Sequence, residues 1–534
     1  MLTKDQKSQY RRELFRHLDG IVTAPIAYEL LTSNVTEYLL THKSVTLDDL
    51  SNEFKANKGY MNVALRALGA QGWLDYSVTD QVIVQINERS ESAFKHFYLY
   101  EDIVELSKYS AKFHPRVFQI EPFQKLEKIF QKYLDRYDLA ESSNEVVKSI
   151  RHQILKHIEG FLVAPTVVNL GMGGMFHKYF METSFSPEEY HKYPECFRSI
   201  LNFLSELGWF TEKNGNYTFS DKGLFFAKRA SAYGVTVSYI PMFRKTRELL
   251  FGQGDILWKG NEIGTESHVD RAMNVWGSGG AHSAYFKKID DVVKSIFNAP
   301  LEEQPKGIVD MGCGNGAFLI HLFDVIETQT LRGQHLEEYP LFLVGVDYNQ
   351  AALTVTRANL ISSDVWAKVL WGDISNPDQL AFDLMENFSL ALKDLLSVRT
   401  FLDHNRIWSD PISEIDHPSK STGAFAYRGQ YLNGNTVECN LKDHFAGWVP
   451  YISKFGLIVI ELHTISPKIT SQNLGKTAAT AYDATHGFSD QYIVELDSFL
   501  KIIGEVGLKS DEKYFSKFPN SELATVSIHH LVGK

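Results

Sequence analysis

The sequence predicts an α/β fold: a Rossmann-like, mostly parallel sheet in the C-terminal half, preceded by a largely helical N-terminal half with two winged-helix-like repeats. Three observations carry the prediction. A strand, a glycine-rich turn and a helix follow one another from Gly307, and two later apolar strands end in acids, Asp347 and Asp373. A weak duplication runs through the front half. A chain of 534 residues exceeds one ordinary core, so two or three domains are expected.

The duplication is read from paired motifs. Arg16-His17-Leu18-Asp19-Gly20, ending at Ala24-Pro25, matches Lys156-His157-Ile158-Glu159-Gly160, ending at Ala164-Pro165. Each copy continues through an apolar helical pattern into a Gly-Trp pair, Gly72-Trp73 and Gly208-Trp209. The offset is 140 residues at the start and 136 at the Gly-Trp pair, so whole domains are repeated, not short solenoid units. In the second copy, apolar alternation on both sides of Asn214-Gly215 predicts a hairpin. Helices followed by a hairpin form the winged-helix pattern. The expected partition is 1–122 for the first repeat, 123–150 for a helical linker, 151–266 for the second repeat and 267–534 for the α/β domain, with an insertion at 394–440.

Composition narrows the class. A net charge of −11, with no Lys/Arg run on the helix before either hairpin, argues against nucleic-acid binding. A scaffolding or homodimerising role for the repeats is the stronger reading. The polar start lacks the apolar core of a signal peptide, and no run approaches the ~20 apolar residues of a membrane span. Cys196, Cys313 and Cys439 lie far apart, which fits a reducing compartment without a disulfide framework. A cytoplasmic protein that makes no membrane contact is expected.

The segment Gly307–Leu322 carries the chemistry. Its strand ends at Asp310, then Gly312, Gly314 and Gly316 alternate before an apolar helix. Such glycines let the backbone turn sharply and approach a ligand where a side chain would clash. The helix start then offers free N–H groups to a carboxylate. An acid followed by G-x-G-x-G reads as an S-adenosylmethionine loop; a dinucleotide site would show G-x-G-x-x-G. Asp347 is expected to accept the ribose hydroxyls and Asp373 the adenine amino group, in the order a doubly wound sheet requires. The segment Asp270–Tyr285, rich in glycine, is expected to form a lid with Trp276 or Tyr285 near the cofactor; an ordinary interdomain linker is the alternative.

Substrate chemistry is sought beyond the carboxyl ends of the strands. Three histidines there are candidate general bases: His404, His463 at the end of the Leu457–Leu462 strand, and His486 in a polar loop, Asp483-Ala484-Thr485-His486-Gly487. For each, a hydrogen-bonded structural histidine is the competing reading.

The motifs Phe401-Leu402-Asp403-His404-Asn405-Arg406, Trp276-Gly277-Ser278-Gly279-Gly280-Ala281-His282 and Asp483–Gly487 resemble the methyltransferases of apratoxin-type polyketide synthase loading modules. The resemblance implies methylation of carbon on an acyl group held by an acyl carrier protein. It also implies, in some members, one iron or manganese ion bound by a His and a Gln, here His404 and Gln430. From the residues alone, imidazole plus a neutral amide is a sparse donor set that water and substrate would complete. A divalent ion so placed would polarise the acyl carbonyl and ease loss of the α-proton.

Three functions are therefore in competition. The first is metal-assisted C-methylation of an acyl substrate, free or carrier-bound. The second is metal-free O-methylation of a small molecule with a histidine base. The third is an S-adenosylmethionine-binding regulator.

Overall fold

The computed structural model describes residues 2–109, 120–176, 181, 183–259 and 266–534; the side chains of 281–284 lie outside that description. The front half holds β1 (Ser44–Thr46), β2 (Asp75–Val78) and β3 (Val82–Gln85) in one small sheet, and the hairpin β4 (Phe210–Lys213) with β5 (Asn216–Phe219). At the turn of that hairpin Asn214 and Gly215 take φ of 55° and 82°, the pair of positive values its twist demands.

The two copies of the duplicated motif meet face to face. They lie on long helices, Lys4–Thr32 and Glu145–Met172, which cross at their glycines. A Cβ on Gly20 would stand 2.3 Å from the carbonyl oxygen of His157, and one on Gly160 would stand 2.3 Å from the Cα of His17. The repeated His-x-x-Gly therefore has a packing cause: only glycine lets the backbones approach this closely, and the contact is self-complementary. The histidines use the contact differently. His17 bonds Glu159 (3.1 Å) and Tyr233 (2.8 Å), whereas His157 bonds Tyr100 (2.8 Å).

Asp19 occupies the position equivalent to Glu159 without equivalent support. Glu159 is held by His17, Lys156 and Tyr133; Asp19 has the Gln71 amide at 3.2 Å, while its other oxygen is buried and unpartnered. Burial pushes the Asp19 carboxyl up to about 7 from 3.8. The folded state thus holds this proton more tightly than the unfolded chain does. The associated stability is present below about pH 4 and is lost as pH rises through 7. Asp19→Asn should flatten that slope. The variant should melt above the parent at pH 8, by an amount on the order of a few kcal/mol of stability, and the gap should close near pH 4. Melting scans at the two pH values check it, and a variant less stable at pH 8 would count against it.

The C-terminal half is built on one sheet with β6 (Gly307–Met311), β7 (Phe342–Asp347), β8 (Lys368–Trp371), β9 (Leu395–Thr400), β12 (Leu457–Leu462), β13 (Leu508–Ser510), β14 (Ser516–Phe518) and β15 (Val526–Gly533). The order is β13-β15-β12-β9-β6-β7-β8, with β14 also on β15. The pairs from β12 to β8 are parallel, and β15 runs against its neighbours. A separate hairpin joins β10 (Phe425–Tyr427) to β11 (Gln430–Leu432). The chain steps outward from β6 to β8 and then returns to β9 on the other side of β6. This reversal opens a crevice at the carboxyl ends of β6 and β9. Alternate residues of the sheet feed apolar clusters on its two faces: Val309 and Val344 on one, Ile308 and Leu343 on the other. The core of the N-terminal half extends into the helix Ala479–Phe488, taking in Ala481, Ala484 and Phe488.

Near the C-terminus β15 lies inside the sheet, between β12 and β13, and its first six residues are buried. Two expectations are corrected. The insertion does not begin at 394, because Leu395–Thr400 is the central strand β9. Ser397 and Arg399 disguise that strand; Arg399 is fully buried, 3.9 Å from the Trp448 ring and paired with Asp403. The irregular stretch thus starts after β9 and closes with the helix Gly434–Ile452. Finally, His486 lies within the helix Ala479–Phe488. Gly487 suggests a loop in sequence, but it serves close packing, since a Cβ there would come within 2.8 Å of Val63.

Candidate active site

The glycine loop leaves β6 with φ of 77° at Gly312, 56° at Gly314 and 78° at Gly316, all in the left-handed region. A Cβ on Gly314 would meet nothing within 4 Å, so the loop faces open space there. Asp347, at the end of β7, accepts the N–H of Gly314 at 2.9 Å and that of Asn349 at 2.8 Å. Burial pushes its carboxyl above the ordinary range. Asp310 is 1% exposed and neither carboxylate oxygen has a hydrogen-bond partner. Burial, then the charge of Asp347, raises it far above the usual range. A buried, unpartnered acid beside an open glycine loop fits a ligand that brings its own cationic donor. Asp373 is half-buried two residues past Trp371, the β8 partner of Asp347, and caps its own turn through the Ser375 N–H at 2.8 Å.

The expected lid is a continuous helix, Arg271–Phe286. It lies on the loop at Gly279, where a Cβ would come within 3.1 Å of the Asn315 amide. It is also fastened to the helix Ser231–Ser238. Cβ atoms on Gly277 and Gly280 would stand 2.7 Å from the Gly234 backbone and 2.6 Å from Ser231. Trp276 packs toward that side, against Gly171 and Gly234, while Tyr285 meets the rings of Phe401 and Phe518.

Across the crevice, His404 sits on a single turn, Asp403–Asn405, directly after β9. Its Nδ1 lies 2.5 Å from Glu461 Oε1. Glu461 Oε2 accepts the Asp403 N–H at 2.8 Å, and Asp403 in turn pairs with Arg399 and His444. The Arg399 guanidinium and the hydrogen bond from His444 hold the Asp403 carboxyl well below its ordinary range against the cost of burial. Because Nδ1 faces a carboxylate, it carries the proton, and Nε2 is left with a lone pair. His486 stands edge-on to His404, ring centroids 5.0 Å apart, with Nδ1 donating to the Tyr482 carbonyl at 2.7 Å. Burial, then the neighbouring His404, lowers His486 to about 3, so it is neutral near pH 7.

His463 is different. Its ring nitrogens engage Ser527 at 2.5 Å and the Val494 carbonyl at 3.2 Å inside the core, leaving neither free for a substrate. Gln430 is exposed on the β10–β11 hairpin with its carbonyl against Gly59, whereas His404 is buried. The glutamine that lines a cleft with His486 is Gln491; its amide nitrogen donates to Tyr239 and Ser489. The sequence reading missed Glu461 as a functional residue. Its signal was an acid inside a wholly apolar strand, a position that survives only with partners. Among the described residues, Glu13, His17 and Glu159 also lie close enough to share an ion, but Lys156 and Lys222 already pair with those carboxylates.

Three family models match the chain in tandem: the AprA N-terminal domain over residues 10–76, the AprA winged helix domain over 159–253 and the AprA MT2-like domain over 266–529. The chain is a methyltransferase that resembles the AprA type in all three regions. No curated protein matches it. Among solved structures, an O-methyltransferase family protein from Burkholderia thailandensis is 9% identical, with 73% of this chain and 98% of that one covered, at a TM-score of 0.40. Mitomycin 7-O-methyltransferase MmcR is 11% identical over 72% of this chain and 98% of its own, at 0.42. The CurJ carbon methyltransferase is 12% identical over 80% and 99%, at 0.30. Among the described residues of this methyltransferase no helix is long and apolar enough to cross a membrane.

Proposed function

We propose that the enzyme methylates carbon on an acyl substrate and that His404 takes the proton the acceptor must lose. The observation that carries this reading is the His404–Glu461 pair at the crevice, its free Nε2 two residues from Leu402, the side chain nearest Gly312. Asp310, Gly312, Gly314, Gly316, Asp347 and Asp373 would hold the cofactor, which supplies an electrophilic methyl group on its sulfonium. His404 Nε2 accepts a proton from the α-carbon of the acyl group, and the Glu461 carboxylate stabilises the imidazolium that results. His486, neutral, bounds the same space. Where an iron or manganese ion assists, its ligands would be His404 Nε2 and the Gln491 amide oxygen, in place of Gln430; the ion would polarise the acyl carbonyl, and the α-proton would pass to His486 instead, since a ligating Nε2 has no lone pair left for it.

The second reading, O-methylation of a free hydroxyl, uses the same base without a metal. A DNA-binding regulator fits poorly: the helix Lys58–Ala70 is buried from Gly59 to Ala70, and Pro194–Glu206 exposes Glu195, Asn202 and Glu206. The test is methyl transfer from labelled S-adenosylmethionine to malonyl-N-acetylcysteamine and to a set of phenols, with and without added iron or manganese. Label on the α-carbon, raised by metal, supports the proposal. Label on phenolic oxygen alone, indifferent to metal and chelator, replaces it with the second reading.

A further inference from the structure

We propose that Arg66, carried by the N-terminal half, is a positioning residue of the methyl-transfer site, acting on His486 through Asp483. This rests on the reading of His404 and His486 as the reaction centre.

The helix Lys58–Ala70 comes directly before the β2–β3 hairpin, the place of a recognition helix in a winged helix. Here that helix is turned into the catalytic domain. The N–H of Gly59 donates to Gly429 at 2.8 Å, and a Cβ on Gly59 would stand 2.4 Å from the Gln430 carbonyl oxygen. Val63 fills the space left by Gly487, and Gly69 lies 3.6 Å from Pro467 on the same measure. The helix therefore touches the hairpin, the helix that carries His486 and the segment following β12.

Arg66 joins those parts. Its guanidinium is 2% exposed, and every hydrogen bond it makes crosses into the C-terminal half. Nε donates to the Thr422 carbonyl at 2.7 Å, and Nη2 to Thr464 Oγ1 at 2.9 Å and the Ile465 carbonyl at 2.8 Å. Nη1 pairs with the carboxylate of Asp483. Thr464 and Ile465 lie just past the strand bearing Glu461, and Asp483 is three residues before His486 on one helix, so both share a face. Arg66, Asp483, His486 and Gln491 line one cleft. The planar fork is used in several directions at once, which an ammonium cannot reproduce. With its charge compensated, Asp483 keeps the helix Ala479–Phe488 seated and His486 edge-on to His404.

A pair that merely joined domains would be replaceable by apolar side chains of similar size without harm to the chemistry. The test is therefore the double variant Arg66→Met/Asp483→Leu, beside Arg66→Lys, His404→Ala and His486→Ala, in the full chain. Melting temperature and S-adenosylhomocysteine affinity report fold and cofactor site. Turnover of malonyl-N-acetylcysteamine across pH, and the rate at which diethyl pyrocarbonate modifies His486, report positioning. The expected result is a folded double variant with parental cofactor affinity, kcat lower by about a hundredfold, and faster modification of His486. Arg66→Lys should fall between it and the parent. Parental kcat and parental His486 modification in the folded double variant would overturn the proposal, and where the probe turns over too slowly, the modification rate decides alone. If His404→Ala and His486→Ala both keep parental turnover, the reading of the reaction centre fails instead.

Discussion

Asp347→Ala should weaken binding of S-adenosylhomocysteine by roughly 30- to 1000-fold, or about 2–4 kcal/mol, while the protein stays folded. Asp347 has two tasks. Its oxygens hold the N–H groups of Gly314 and Asn349, which sets the shape of the glycine loop. Its charge is also buried at the end of the second strand of the parallel run, where the ribose hydroxyls are expected. Alanine removes both functions, and a hydrogen bond to a charged group contributes about 1.5–3 kcal/mol. Asp373→Asn keeps a side-chain oxygen for the Ser375 N–H and should weaken binding far less. The pH dependence follows from burial: Asp347 is held above the ordinary carboxylate range, so it takes up a proton earlier as pH falls, and affinity falls with it. Titration calorimetry measures all three, and parental affinity in Asp347→Ala would sink the assignment.

His404→Ala should reduce methyl transfer by about 10²–10⁴ with cofactor affinity unchanged. The deletion removes the nitrogen that faces the crevice and leaves Glu461, 2% exposed, without its principal partner. Glu461→Gln tests the same arrangement more gently. The amide oxygen still accepts from His404 Nδ1, but the amide N–H₂ then confronts the Asp403 N–H that Glu461 Oε2 accepts, and the imidazolium loses its counter-charge. A smaller fall in kcat, with KM little altered, is expected for this variant, as for a residue that acts through His404. Turnover of the thioester probe beside calorimetry on each variant separates the two effects. A His404→Ala protein that turns over at the parental rate would remove His404 from the mechanism.

Glu461 and β9 show why part of the site stayed hidden. β9 carries Ser397 and Arg399, so its pattern does not read as a buried strand; Arg399 is tolerated because Trp448 and Asp403 wait for it in the fold. His463 looked at least as available as His404, since it closes the apolar strand Leu457–Leu462. Their difference lies in Ser527, on the strand β15 that folds back between β12 and β13. Gln430 and Gln491 were likewise indistinguishable by type, and exposure tells them apart.

What the sequence alone determined is the chemistry that neighbouring residues create. Glycines at Gly312, Gly314 and Gly316 demand left-handed backbone, strand-ending acids demand a polar ligand, and a repeated His-x-x-Gly demands close helices. These requirements are local, so they are written contiguously. What only the tertiary structure decided is which distant groups share their charges and protons. His404 and Glu461 are 57 residues apart, and Arg66 and Asp483 are 417 apart. Such pairs are stable because burial removes water from both partners at once, and burial belongs to the folded chain, not to either segment.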